Sequence, residues 1–195
     1  MSSLDVARRN SGNSLEQADL AVAGTLLPLS GALVVRAIGA ISDLSDQEPL
    51  YAASAAVIGT GAILRDERTL QTGLRLLATH LFATALRGVI KQTVDRTRPI
   101  AAAERGEYEL GPGDRHESDF NSFPSGHTAG AVAIALVIAR RYPGARGPAL
   151  GLAAASAAAQ VLRSKHYLTD VVAGAAIGWA AEEILHAILT RCERV

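Results

Sequence analysis

Three short segments of this chain carry side chains that together could hold a phosphate group and attack it. In chain order they are Lys91 with Arg98-Pro99, Pro124-Ser125-Gly126-His127, and His166 with Asp170. They supply cations and backbone donors for phosphate oxygens, a nucleophile, an acid and a carboxylate. Because each segment lies beside an apolar stretch, the sequence predicts a phosphate that is attached to a lipid.

The first segment supplies positive charge. Arg98 offers a planar fork of N–H donors that matches phosphate oxygens, and Lys91 offers a compact charge. Pro99 cannot continue a helix and restricts the residue before it, so it fixes the direction of Arg98. Basic residues that flank a helix at a membrane interface have the same pattern, so this segment alone does not indicate a site.

The second segment has the pattern of a helix start. The first turn of a helix leaves N–H groups free and carries partial positive charge, and both attract anions. Ser125 could cap the helix or donate to a phosphate oxygen, and Gly126 lets a ligand approach the backbone closely. His127, in the first turn, could then protonate a leaving oxygen.

The third segment pairs an imidazole with a carboxylate. His166 and Asp170 are four residues apart and would share one face of a helix. A carboxylate bonded to one ring nitrogen fixes the tautomer and leaves the other nitrogen as a nucleophile. A metal site is the alternative, but the neighbours Arg163 and Lys165 are cationic and would repel a metal ion. We therefore expect neither a metal nor another cofactor.

The elements that must position these residues are apolar helices. Six segments rich in Ala, Leu, Gly and Val show no sustained strand alternation. They are Leu20–Val35, Leu50–Leu64, Leu70–Ile90, Ser125–Ala139, Gly147–Leu162 and His166–Leu189. The sequence thus predicts an all-α fold of six helices in one domain over residues 1–195. A polar N-terminal tail would cover residues 1–17, and an outer loop would cover residues 95–123.

The distribution of charge favours helices that cross a membrane. Most charge-free runs have about 16 residues, fewer than the roughly 20 that a span needs, and a soluble all-α bundle is the alternative. With the N-terminus inside, arginines fall on the inner side at every crossing, as the positive-inside rule requires. These are Arg8, Arg9, Arg65, Arg68, Arg140, Arg141, Arg146, Arg191 and Arg194. The same topology brings all three segments outside, so we expect a six-helix transmembrane bundle with its active site at the outer membrane face.

Composition excludes several other classes of protein. Lys plus Arg and Asp plus Glu both number 19, so no net charge points to nucleic acid as a partner. The single cysteine, Cys192, allows neither an internal disulfide nor a cysteine metal cluster. The N-terminal tail has no apolar core, so we expect no cleavable signal peptide.

The order and spacing Lys-x6-Arg-Pro, Pro-Ser-Gly-His and His-x3-Asp resemble those of the type 2 phosphatidic acid phosphatase superfamily. The motifs cover residues 91–170, and the helical layout extends the resemblance over most of the chain. The resemblance implies that phosphate oxygens are bound by Lys91, Arg98, Ser125 and Gly126. It also implies that His166 attacks phosphorus to form a phosphohistidine, that Asp170 orients it, and that His127 protonates the leaving alkoxide and later activates water.

One position departs from this pattern. The superfamily's third motif normally begins with Ser-Arg, the arginine six residues before the histidine, and here those positions hold Ala159 and Gln160. Arg163 lies three residues further along, on nearly the same face of a helix. We expect Arg163 to take over the phosphate contact, with Lys165 as a second candidate donor.

These features predict a metal-independent phosphatase that acts on a lipid phosphate or diphosphate monoester. We expect a multi-pass protein of the inner cell membrane whose site faces the periplasm or exterior, with the lipid substrate and the bilayer as its partners. A soluble acid phosphatase of the same superfamily is one alternative, whereas a vanadium haloperoxidase would need a longer chain. A phosphate-lipid-binding membrane protein without turnover is another, because the third-motif arginine is absent.

Overall fold

Helices make up most of the protein, whose structure, a computed structural model, describes residues 13–113 and 117–192. The helices in those ranges are α1 (Ser14–Leu26), α2 (Leu33–Ser42), α3 (Gln47–Leu64), α4 (Glu67–Lys91), α5 (Pro99–Arg105), α6 (Gly126–Arg141), α7 (Arg146–Leu162) and α8 (Leu168–Cys192). Two short strands, β1 (Val94–Arg96) and β2 (Leu110–Pro112), pair antiparallel. Four 3₁₀ turns lie at Leu27–Leu29, Asp43–Ser45, Ser118–Phe120 and Pro143–Ala145.

The all-α class is confirmed, but the predicted number of helices is wrong, since the described residues form eight α-helices rather than six. The first predicted segment, Leu20–Val35, is split into α1 and α2 by a 3₁₀ turn, because Pro28 cannot continue α1. The other additional helix, α5, lies inside the predicted loop. It begins at Pro99, a residue suited to the first position of a helix.

The predicted tail and loop are both partly structured. The first helix begins at Ser14, inside the predicted tail 1–17, whereas residues 1–12 lie outside the described residues. The predicted loop 95–123 holds most of the strand pair, α5 and a 3₁₀ turn, so it is a folded layer over one end of the bundle. Residues 114–116 and 193–195 also lie outside the described residues, so the predicted inner arginines at 8, 9 and 194 have no described position.

Helix α6 lies at the centre of the bundle and packs against α4, α7 and α8. Its buried face is built largely from alanine, and Ala133 contacts Ala83 of α4 and Ala181 of α8. Small side chains allow the three backbones to approach closely. The closest approach is made at Gly174 and Gly178 of α8, where an added Cβ would lie within 3.0 Å of the α6 backbone.

Buried ion pairs join the same three helices at the end away from the predicted site. Glu182 of α8 has a fully buried side chain and accepts hydrogen bonds from Arg75 of α4 at 2.8 and 3.1 Å. Arg140 of α6 donates to the same carboxylate at 3.1 Å and also pairs with Glu183. These contacts fix the rotation of α4, α6 and α8 about their own axes.

The outer surface of the bundle is strongly apolar in places. Large exposed side chains include Leu33, Ile63, Leu64, Val89, Leu152, Val172 and Trp179. By length and composition, α8 is the one described helix that could cross a membrane alone, and the segments Ser14–Leu29 and Leu33–Ser45 satisfy the same test as a pair bent by 107°. The six predicted spans are therefore not reproduced. Helices α6 and α7 have only 16 and 17 residues, and α4 carries Arg75 and Arg87.

Candidate active site

The turn between α7 and α8 positions His166. Ser164 adopts a left-handed conformation with φ of 53°, which reverses the chain at the end of α7. The N–H groups of Lys165 and His166 then both donate to the carbonyl of Gln160, at 3.1 and 3.3 Å. The N–H of Ile100 donates to the Ser164 carbonyl at 3.1 Å, so the turn is fixed to the start of α5.

The imidazole of His166 is buried and has one defined hydrogen bond. Its Nδ1 lies 2.7 Å from the carbonyl oxygen of Ser122. Because a carbonyl only accepts, Nδ1 carries the hydrogen, and the lone pair of Nε2 is free for attack. Asp170 does not make the direct bond that the four-residue spacing predicts, since its Oδ2 lies 3.7 Å from Nδ1.

Asp170 instead binds Ser122, the residue whose carbonyl group accepts from His166. Its Oδ2 accepts from the Ser122 hydroxyl at 2.5 Å and from the Tyr167 N–H at 2.8 Å. The backbone of Ser122 is also fixed, because its N–H donates to the Arg96 carbonyl at 3.0 Å. The carboxylate therefore orients the imidazole through Ser122 rather than by contact.

Arg96 is the residue that the sequence interpretation missed. Its Nη1 donates to Asp170 at 2.7 Å, its Nη2 donates to Asp19 of α1 at 2.8 Å, and its guanidinium lies 4.1 Å from the ring centre of Tyr167. A signal for this cluster was present, because Asp19 is a carboxylate at the start of an apolar segment and such residues need a partner. Arg96 also lies between the two cations of the first motif.

The start of α6 presents free backbone donors. Ser125 is its N-cap residue and follows the cis peptide bond between Phe123 and Pro124. The first intrahelical bond runs from the Ala129 N–H to the Ser125 carbonyl, so the N–H groups of Gly126, His127 and Thr128 precede it. The Ser125 N–H donates to the Asp170 carbonyl at 3.1 Å and joins α6 to α8, so it is not one of the free donors.

The predicted phosphate-binding cations lie beside this helix start. Lys91 ends α4, and Arg98 is the extended residue before α5, as the following proline requires. Arg98 donates from Nε to the Ser118 carbonyl at 2.8 Å, and its two Nη groups have no hydrogen-bond partner among the described residues. Arg98 is a charged neighbour of both His166 and Lys91, which places all three around one space.

Arg163 and His127 meet at an aspartate that the sequence interpretation did not consider. Arg163 donates from Nη1 to Asp43 at 2.5 Å and to the Gly39 carbonyl at 3.0 Å. The Nε2 of His127 lies 3.7 Å from Asp43 and 3.8 Å from Asp46. Arg163 is thus near the site, but its guanidinium is already bound, so the predicted phosphate contact stays a prediction.

Burial controls the charge of the candidate nucleophile. It lowers the pKa of His166 below its usual value, although Asp170 acts in the opposite direction. His166 is therefore neutral at pH 7, as attack by Nε2 requires. Burial and the charge of Arg163 also lower the pKa of Lys165. Among residues 13–113 and 117–192, no group of three or more His, Cys, Asp or Glu side chains could hold a metal ion.

Comparisons with known proteins give the family of the chain. The sequence model of the PAP2 superfamily matches residues 72–194. Over 120 residues, or 62% of this chain, it is 30% identical to a lipid A 1-phosphatase of Rhizobium johnstonii and 29% identical to one of Rhizobium etli. The match covers 49% and 51% of those proteins, so the chain spans about half the length of the curated relatives.

Two crystal structures share the fold. The first is a transmembrane PAP2-type phosphatidylglycerolphosphate phosphatase from Bacillus subtilis, with a TM-score of 0.67, 21% identity, and coverage of 97% of this chain and 92% of that one. The second is Aquifex aeolicus LpxE, with a TM-score of 0.55, 19% identity, and coverage of 83% and 92%. At these identities the likeness concerns the fold alone.

Proposed function

The chain belongs to the PAP2 superfamily, and we propose that it is a metal-independent phosphatase that removes phosphate from a membrane lipid. One observation carries this proposal: His166 is buried, and its Nδ1 is fixed by the Ser122 carbonyl at 2.7 Å so that Nε2 is free. A phosphate-binding protein without chemistry has no need of an imidazole that is held in one tautomer. The family prediction is confirmed, and the roles of individual residues remain proposals.

In the proposed ground state, cations and backbone donors surround the phosphate. Lys91 and the free Nη groups of Arg98 contact its oxygens, as do the N–H groups of Gly126 and His127. These donors are fixed before the substrate arrives, so they stabilise the charge that develops in the transition state. The Ser125 hydroxyl, which accepts from Thr128 at 3.1 Å, can donate its own hydrogen to the same oxygens.

The proposed reaction has two displacement steps. First, Nε2 of His166 forms a bond to phosphorus, the bond from phosphorus to the lipid oxygen breaks, and His127 gives a proton to that oxygen. Second, His127 takes a proton from water, the hydroxide attacks phosphorus, and the bond to His166 breaks. Burial lowers the pKa of His127, and the carboxylates of Asp46 and Asp43, 3.8 and 3.7 Å from its Nε2, act in the opposite direction, toward the protonated form that the first step needs.

The apolar surface supports a lipid substrate and a membrane location. Exposed leucine, isoleucine and valine side chains on several helices would be costly in water and favourable against acyl chains. We propose a multi-pass inner-membrane protein whose site faces outward. Among lipid phosphates, the name of the Rhizobium relatives favours lipid A 1-phosphate.

The test is release of phosphate by detergent-purified protein in the presence of EDTA. Lipid A 1-phosphate, phosphatidylglycerol phosphate, phosphatidate, a polyprenyl diphosphate and a soluble aryl phosphate would be offered. We expect the wild type to release phosphate from a lipid and His166→Ala to release none. The control His186→Ala, which removes an imidazole near the far end of α8, should keep this activity. Acid quench with labelled substrate should trap an acid-labile phosphoprotein in the wild type and none in His166→Ala.

A second candidate function is binding of a lipid phosphate without turnover. It is favoured by Gln160, which occupies the position of the third-motif arginine and is fully buried, with Nε2 bonded to Ser42 at 2.8 Å. Phosphate binding by wild-type protein with no release from any lipid would support this candidate. Turnover of the soluble aryl phosphate alone would instead support a nonspecific acid phosphatase.

A further inference from the structure

Arg87 lies against the first residue of α6. A Cβ added to Gly126 would lie within 3.0 Å of Nη1 of Arg87 and 3.0 Å from its Cζ, so the guanidinium covers the open side of this glycine. The N–H groups of Gly126 and His127 belong to the same first turn of α6, before its first intrahelical bond. Arg87 thus places its charge beside the turn whose backbone donors the proposed phosphate site uses.

This cation has no counter-ion within ion-pair distance in the part of the chain that the structure describes. Three other arginines with mostly buried side chains, Arg75, Arg96 and Arg163, each bind a carboxylate within 3.0 Å. Among the described residues, Arg87 makes no ion pair and no hydrogen bond, although its side chain is half-buried, and Asp46 acts on it only from a distance. A partly buried charge without a partner is costly, and a bound anion would offset that cost.

The position of Lys91 strengthens this argument. It lies four residues after Arg87, on the same face of α4, and the two cations are electrostatic neighbours. Like charges at this spacing destabilise a helix. A dianion bound between them and the start of α6 would convert that repulsion into attraction.

The side chain at the third-motif position and the two candidates that the sequence offered for the missing contact all have partners. Lys165 lies 4.0 Å from Asp43. Gln160 is fully buried and bonded to Ser42, and Arg163 is bound to Asp43 and to the Gly39 carbonyl. We propose that Arg87 binds a phosphate oxygen in place of the third-motif arginine, reaching the site from α4 rather than from the end of α7. This inference rests on the proposed function, because it assigns a contact within the same site.

The test measures binding of inorganic phosphate and of orthovanadate by calorimetry, and kcat and KM on the preferred lipid. For Arg87→Ala and Arg87→Gln, we expect phosphate to bind at least tenfold more weakly and kcat to fall by about 10²–10³-fold, as for removal of one transition-state donor. Arg87→Lys should recover part of the loss. Arg146→Ala removes an exposed arginine at the other end of α7, about 25 Å away, and should match the wild type.

A thermal readout separates binding from a structural role. Because Arg87 makes no ion pair or hydrogen bond with residues 13–113 or 117–192, its removal should leave the melting temperature of the ligand-free protein unchanged or higher. It should also remove the rise in melting temperature that phosphate causes. A lower melting temperature without ligand, with the phosphate-induced rise intact, would overturn the proposal. A larger loss of phosphate affinity in Arg163→Ala than in Arg87→Ala would also overturn it.

The two proposals fail in different ways. If the wild type releases phosphate from a lipid and Arg87→Ala does so equally well, the assignment of Arg87 fails and the phosphatase stands. If the wild type releases no phosphate but binds it, and Arg87→Ala binds it more weakly, the phosphatase fails and the Arg87 contact stands. If the wild type neither binds nor hydrolyses phosphate, both fail.

Discussion

Replacement of Arg96 by alanine should destabilise the protein strongly. Its side chain is 4% exposed, and it is shared by Asp19 and Asp170, which are 3% and 0% exposed. Removing one partner of a buried ion pair typically costs about 3–5 kcal/mol, because the remaining charge is buried without compensation. Here one substitution leaves two such charges, so we expect the free energy of unfolding to fall by the upper part of that range, about 4–5 kcal/mol.

The assay is reversible unfolding of the detergent-solubilised protein, with Arg105→Ala as the matched control. Arg105 pairs with Asp119 at 2.6 Å, but these side chains are 44% and 42% exposed. Loss of an exposed pair costs about 0–1 kcal/mol. Arg96→Lys keeps the charge but cannot bridge both carboxylates, and it should lie between the two. If Arg96→Ala costs no more than Arg105→Ala, the argument that Arg96 neutralises two buried carboxylates is wrong.

Two further predictions concern the helix contact and the nucleophile. Gly174→Ala places a Cβ 2.5 Å from the Ser125 carbonyl oxygen, so it should lower the free energy of unfolding by about 1–3 kcal/mol and reduce phosphate release. The control is Gly151→Ala, whose added Cβ has nothing within 4 Å and which should match the wild type in both assays. The lowered pKa of His166 predicts that the acid limb of kcat/KM lies below pH 6.5 and that stability falls with pH below 6.5, because the unfolded chain takes up the proton first. If kcat/KM already declines as the pH falls from 7.5 to 6.5, and does so for several lipids, the assignment of the acid limb to His166 is wrong.

The sequence predicted the convergence of the three motifs because their information is local. Pro99 sets the backbone at Arg98, and the Pro124 to His127 segment starts a helix with free donors. The predicted membrane topology then placed the helix ends on one side. The structure brings these residues together, with Ser125 bonded to the Asp170 backbone.

The partners inside the site could not be predicted in the same way. Arg96 and Asp19 are 77 residues apart, and Ser122 and Asp170 are 48 apart. No periodicity connects such pairs, because they depend on how α1, β1 and α8 pack. The sequence can show that a buried carboxylate needs a cation as its partner, but it does not identify which cation.

The predicted contact between His166 and Asp170 shows where spacing misleads. Four residues place two side chains on one face only if both lie in the same helix, and α8 begins at Leu168. His166 belongs to the turn before it, so the imidazole points to the Ser122 carbonyl instead. The helix boundary, rather than the spacing, decided the contact.

The distribution of partners among the charged side chains explains how a buried acid and a phosphate can share one site. An unpaired Asp170 would repel a phosphate dianion at close range. Arg96 neutralises it at 2.7 Å, so the carboxylate can orient Ser122 without adding an unpaired negative charge to the pocket. Arg87 and Lys91, in contrast, have no carboxylate within ion-pair distance among the described residues. The buried acids Asp19, Asp170 and Glu182 are thus each paired with an arginine, whereas Arg87 and Lys91, the two cations at the end of α4, keep their charges available for the proposed phosphate.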